Sequence, residues 1–208
     1  MLLERLSVRD PATARHSGAV SRYARELCRG AGADPQAQEL VHHAGLLHDV
    51  GKLAFPDHIL FSRRRLAPRD WDIIRGHPEE GARLIEQVVG WHEVAEAVLC
   101  HHERVDGRGY PEGRMADAIP PCARMISVAD TYDVMTARDS YRKPERPQEA
   151  IDELRRVAGT QLDGDLVELF IELVDHGRMT FCHLDDADYH TELALDVGVL
   201  RPGLAVAG

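Results

Sequence analysis

Apolar residues recur at helical spacing through almost all of the first 175 positions, and no alternating strand pattern competes with them. A chain patterned this way can bury its apolar stripes only by packing helix on helix, so the expected fold is an all-α helical bundle. Between Pro11 and Leu27, the residues His16, Val20, Tyr23, Ala24 and Leu27 fall on one helical face. Asp34-Pro35 reads as an N-cap followed by proline at the first helical position. It opens a helix through LVHHAGLLHDV that Gly51 can end. Further helices are expected over Pro78–Val89, His92–Glu103, Pro121–Ala137, Pro147–Val157 and Leu166–Val174, with a loop rich in glycine and proline from Arg104 to Pro120. The amphipathic faces of the last two helices suit core packing or a homodimer seam. Arg138–Gln148 is the most linker-like stretch. The tail LALDVGVLRPGLAVAG has the composition of a short strand pair, and its abrupt end at Gly208 leads us to expect further chain. The domain expected is therefore 9–175, followed by a C-terminal extension, 176–208.

The 208 residues suffice for one sizeable core and an appendage. A formal net charge of -10 argues against a polynucleotide partner, which needs basic patches. No apolar run approaches the roughly 20 residues of a membrane span. The first turns are broken by Glu4, Arg5, Arg9 and Asp10 and hold no apolar signal core. The four cysteines are scattered without a CxxC pair and read as reduced thiols of a cytoplasmic protein. The unusual count is 12 histidines.

Five places put histidine or aspartate on or beside apolar helix faces: His16, His48-Asp49, His77, His101-His102 and Asp130. An unpaired charge there is costly. A buried aspartate paired with histidine or arginine accounts for any one of them. Seven such groups over several helices point instead to a metal site built from facing helices. Imidazole with carboxylate suits iron, manganese or zinc, and the lack of a cysteine cluster disfavours structural zinc. Asp49 has two oxygens and can bridge two ions. Ions roughly 3.5–4 Å apart can clamp a phosphodiester and activate water. Lys52 follows His48 by one turn and, if the helix extends that far, can face a phosphate oxygen. Nothing in the sequence activates Ser62 or a cysteine, so covalent catalysis is the weaker route.

The segments HDVGK (His48–Lys52), RGHPEEG (Arg75–Gly81), HHERVDGRGYP (His101–Pro111), IPPCAR (Ile119–Arg124) and VADTYDVMT (Val128–Thr136) occur in that order. Together they resemble an HD-GYP domain, a bacterial signalling subgroup of the HD phosphohydrolase superfamily, over about Arg9 to Val174. The resemblance implies an all-helical fold and a centre of iron or manganese ions. It also implies hydrolysis of cyclic di-GMP to linear pGpG or onward to GMP. By position, His16, His48, Asp49 and Asp130 would hold one ion. His77, His101 and His102 would hold the other, with Asp49 bridging. Lys52 would contact the scissile phosphate, and Gly109, Tyr110 and Pro111 would form the signature loop that shapes the site wall. The attacking group would be a metal-bridging hydroxide.

Two departures from the family pattern bear on function. Members with three metals carry a glutamate one turn before the first histidine, where this chain has Ala12. After Asp133 the family commonly has an arginine that holds the nucleotide phosphate; here that position is Asp139, with Arg138 just before it and Tyr141 and Arg142 in register. Arg138 and Arg142 are the expected substrate contacts. With an acid at 139, either Arg138 swings in to compensate, the chain prefers another cyclic dinucleotide, turnover is lost in a signalling module that binds a cyclic dinucleotide or a partner protein, or the local alignment slips by one residue. Separately, an HD phosphohydrolase acting on another nucleotide is a competing reading that the GYP loop argues against. Since Ala12 cannot ligate, metal analysis should find two tightly bound divalent ions per chain. Three would contradict this reading.

Overall fold

The computed structural model describes residues 2–62, 66–137 and 144–179, which form ten α-helices and no sheet. The helices are α1 (Leu2–Arg9), α2 (Pro11–Gly30), α3 (Pro35–Leu47), α4 (Asp57–Leu60), α5 (Pro68–Arg75), α6 (His77–Ile85), α7 (His92–Cys100), α8 (Pro121–Thr136), α9 (Pro147–Val157) and α10 (Gly164–Asp175). Their starts are chemically marked. The Asp10 side chain accepts from Thr13 N ahead of Pro11, and Asp34 accepts from Ala37 N ahead of Pro35. Asp163 accepts from Asp165 N and Leu166 N. Each cap satisfies backbone N–H groups that the first turn cannot.

The core lies where α2, α3 and α8 pack together, closed by α7, α9 and α10. Val20, Tyr23, Ala24 and Leu27 of α2 are fully buried, as their shared face predicts. Tyr23 meets Tyr132 edge-on at 5.3 Å and Phe170 at 5.6 Å between ring centroids. α2 and α3 approach closely because small residues face each other. A Cβ on Gly45 would lie 2.7 Å from Ser21 Cα. At the same crossing the Ser21 hydroxyl lies 2.6 Å from His42 Nδ1 and donates to His42 O at 3.0 Å. His42 is thus a hydrogen-bonded core residue. α9 and α10 turn Ala150, Ile151, Leu154, Val167, Phe170 and Ile171 into the same core, so these faces pack within the chain.

Several boundaries differ from the sequence expectation. The helix carrying HHAGLL stops at Leu47, not at Gly51. At Asp49 the chain leaves helical geometry (φ -98°, ψ 6°) and enters a 3₁₀ turn over Val50–Ala54, so Lys52 sits on that turn and not on a continued helix. The cause is tertiary. Gly51 lies against the start of α6, where a Cβ would come within 2.0 Å of His77 O and 2.7 Å of Gly81 N. Likewise α6 begins at His77 and ends at Ile85, and α7 ends at Cys100, which leaves His101 and His102 in the turn that follows. On α8, Ala123 and Ile126 are buried while Val134 is half exposed. The expected loop is present, pinned by an isolated bridge between Asp106 and Met115. The suggested strand pair, and residues 138–143 with Arg138, Asp139 and Arg142, lie outside the described residues.

Gly51→Ala should cost about 1–3 kcal/mol, because the added methyl meets backbone and not a side chain that can move aside. A urea denaturation midpoint unchanged from wild type would show that this close approach is not made.

Candidate metal centre

Seven side chains singled out from the sequence converge on one buried centre. α2 contributes His16. The α3 C-terminus and the turn after it supply His48 and Asp49. His77 begins α6, His101 and His102 follow α7, and Asp130 comes from α8. Two sets each offer three ligand atoms within 4.8 Å of one another: His16, His48 and Asp130, and His77, His101 and His102. Asp49 stands between them. Its Oδ1 is 3.3 Å from His77 Nε2, and its Oδ2 is 3.4 Å from His48 Nε2 and 3.9 Å from His16 Nε2.

The orientation of the rings follows from helix geometry. His48 Nδ1 donates to Gly45 O at 2.7 Å, His77 Nδ1 to Ile74 O at 2.7 Å, and His101 Nδ1 to Val98 O at 2.6 Å. Each partner is the carbonyl three residues earlier. A carbonyl can only accept, so each ring carries a proton on Nδ1. Burial pushes His77 and His101 below the usual histidine range, with neighbouring imidazoles adding to the effect. Both are neutral at pH 7, and each Nε2 therefore bears a lone pair. These two nitrogens lie 3.1 Å apart. Two lone pairs aimed at each other across that distance repel, and a divalent cation between such donors removes the conflict. The donor set thus fits a divalent metal ion on its own chemistry.

The two sets differ electrostatically. Burial drives His102 down to about 3. Burial alone would also lower His16, but Asp130 and Asp133 on its two nitrogens outweigh it and raise it to about 10. Burial would raise Asp49, yet Lys52, His48 and His77 hold it well below the usual carboxylate range. The Lys52 ammonium donates to Asp49 Oδ2 at 2.5 Å and is only partly buried.

The GYP loop forms one wall. The Tyr110 ring lies against His102, 4.8 Å between centroids, and His102 lies 4.1 Å from His101. The Tyr110–Pro111 bond is cis. Gly109 passes directly over the backbone after the histidine pair, where a Cβ would fall 2.4 Å from Arg104 N. Glu103 supports this loop and not a ligand: its Oε1 accepts from Glu112 N at 2.7 Å and Gly113 N at 3.0 Å. Asp106 pairs with Arg104 and accepts from Arg108 N.

Two residues at the centre carried no weight in the sequence reading. Asp133 accepts from His16 Nδ1 at 2.7 Å. Its spacing of three from Asp130 on one helix is a usable signal, since such residues share a face. Arg75 is exposed, with its guanidinium carbon 5.9 Å from the Tyr110 ring centroid. It opens the RGHPEEG motif, but its place beside Tyr110 arises from the packing of separate segments.

The HD-domain family profile matches residues 1–166. A cyclic di-GMP phosphodiesterase of Pseudomonas aeruginosa is 38% identical over 176 residues, which span 83% of this chain and 42% of that protein. A 3'3'-cGAMP-specific phosphodiesterase of Vibrio cholerae is 31% identical over 173 residues, 82% of this chain and 33% of that protein. The chain thus spans less than half the length of these relatives. A crystal structure of a cyclic GMP-AMP specific phosphodiesterase of Vibrio cholerae superposes with a TM-score of 0.68 at 18% identity, covering 86% of this chain and 48% of that one, and so shares the fold. The profile covers most of the chain, and the ordered motifs meet at one buried centre, so the chain belongs to the HD-domain family, as an HD-GYP domain.

Proposed function

We propose that this domain is a metal-dependent phosphodiesterase that hydrolyses cyclic di-GMP, to linear pGpG or onward to GMP, with two divalent ions, iron or manganese. The observation that carries the reading is the pair of neutral imidazoles, His77 and His101, whose Nε2 atoms face each other at 3.1 Å beside the Asp49 carboxylate. His16, His48 and Asp130 would hold one ion, His77, His101 and His102 the other, and Asp49 stands where it could serve both. Bound there, the ions supply Lewis acidity and lower the pKa of water for attack on phosphorus.

The chain's own residues do the rest. Lys52 is held at the centre by Asp49 and is open enough to exchange that carboxylate for a phosphate oxygen. Tyr110 backs His102 and walls the site. Arg75, beyond Tyr110, adds positive charge at the rim that favours an anionic substrate. Arg138 and Arg142 remain proposed substrate contacts from the sequence. The names of the relatives divide between cyclic di-GMP and cyclic GMP-AMP, so both belong in the substrate assay.

Anaerobic turnover of cyclic di-GMP by manganese- or iron-loaded protein tests the proposal. His48→Ala and Asp49→Ala should each lower kcat/KM by more than about 100-fold, since loss of groups that merely support a ligand costs 10–100-fold. Lys52→Met should lower it by about 100-fold or more at unchanged metal content. Full activity in the Asp49 variant would defeat the mechanism. Turnover of cyclic GMP-AMP alone would change the substrate and keep the chemistry.

Metal uptake should depend on pH differently at the two sets. His16 is raised from 6.5 to about 10, so in the metal-free protein it keeps a proton at neutral pH that an ion must displace. Affinity at that set should rise with pH up to about 10, with one proton released per ion at pH 7.5. The His77–His101–His102 set is lowered and already deprotonated, so its affinity should stay nearly flat over the same range. Calorimetry in buffers of different ionisation enthalpy measures the released protons; equal release at both sets would refute the assignment.

A further inference from the structure

His16 differs from the other oriented imidazoles in what stands behind it. The Nδ1 protons of His48, His77 and His101 go to uncharged carbonyls three residues earlier. At His16 the acceptor is a carboxylate from a different helix, Asp133 Oδ2 at 2.7 Å. Asp133 is 1% exposed. One turn earlier on α8, Asp130 Oδ1 lies 3.1 Å from the other nitrogen, His16 Nε2. The two acids of VADTYD therefore divide the ring: Asp130 belongs to the ligand set, and Asp133 lies outside both sets.

We infer that Asp133 is a positioning residue that fixes His16 with its proton on Nδ1 and its Nε2 toward the ion, and so strengthens metal binding at the His16–His48–Asp130 set alone. An ionised carboxylate can only accept, so it selects the Nδ1–H form of the ring. A charged hydrogen bond also makes the ligand nitrogen a better donor. Nothing equivalent backs His77 or His101. The inference rests on the two-ion reading above.

The experiment is metal binding without substrate: equilibrium dialysis with manganese(II), and ¹¹³Cd NMR of cadmium-loaded protein. Wild type should bind two ions and give two cadmium resonances. Asp133→Asn, which keeps the volume and an acceptor, should weaken one ion by about 10–100-fold, shift or abolish one resonance, and leave the other ion's affinity unchanged. In a His16→Ala background the same substitution should cost no further affinity. Equal losses at both ions, or the same loss with and without His16, would reduce Asp133 to packing and overturn the inference. Wild-type affinity for both ions in Asp133→Asn would overturn it too. If that variant does not fold, ¹⁵N-histidine spectra of the cadmium-loaded wild type decide: a proton on His16 Nδ1 is required, and a bare Nδ1 refutes it. Wild type that binds no second ion would bring down the two-ion reading and this inference together.

Discussion

The centre depends on one unfavourable juxtaposition. Two neutral, buried imidazoles point lone pairs at each other across 3.1 Å, and neither ring can turn away because its other nitrogen is committed to a backbone carbonyl. Buried polar groups without a partner are costly. Here the helix geometry that creates the conflict also prepares the resolution we propose, a cation accepted by both donors. Asp49 reaches both sets from its position just past the end of α3, and its charge would offset that cation.

Much of the fold serves to hold this arrangement. The three backbone-oriented histidines each use the carbonyl three residues earlier, so a local helical or turn geometry sets each ring without dedicated side chains. The Gly51 contact with α6 brings Asp49 to His77. The tight α2–α3 crossing at Gly45 and Ser21 brings His16 beside His48, with ring centroids 5.2 Å apart. The GYP loop then closes over His102 through Tyr110 and is itself braced by Glu103. Small residues at the crossings thus allow the close approaches that bring the candidate ligands together.

What was legible in the sequence follows the range of the physics. Helix positions were readable from local periodicity and from caps such as Asp34-Pro35. The ligand candidates were readable as costly polar groups on apolar faces, and the ordered motifs assembled them. The end of α3 was not readable, because it is set by a backbone contact between Gly51, just past the helix, and His77 of α6, 26 residues beyond Gly51. Glu103 could have served a ligand or the loop, and only the loop's path decides between them. Asp133 was within reach, since it repeats the Asp130 face one turn later. Arg75 was not, because its place over Tyr110 arises from the packing of separate segments.

The central claim is that two ions share Asp49. Anomalous diffraction from crystals grown anaerobically with manganese(II) tests it most directly. The account predicts two peaks about 3.5–4 Å apart, one at the His16, His48 and Asp130 side chains and one at His77, His101 and His102, with an Asp49 oxygen on each. A single peak, or two peaks with Asp49 bound to neither or to only one, would contradict it.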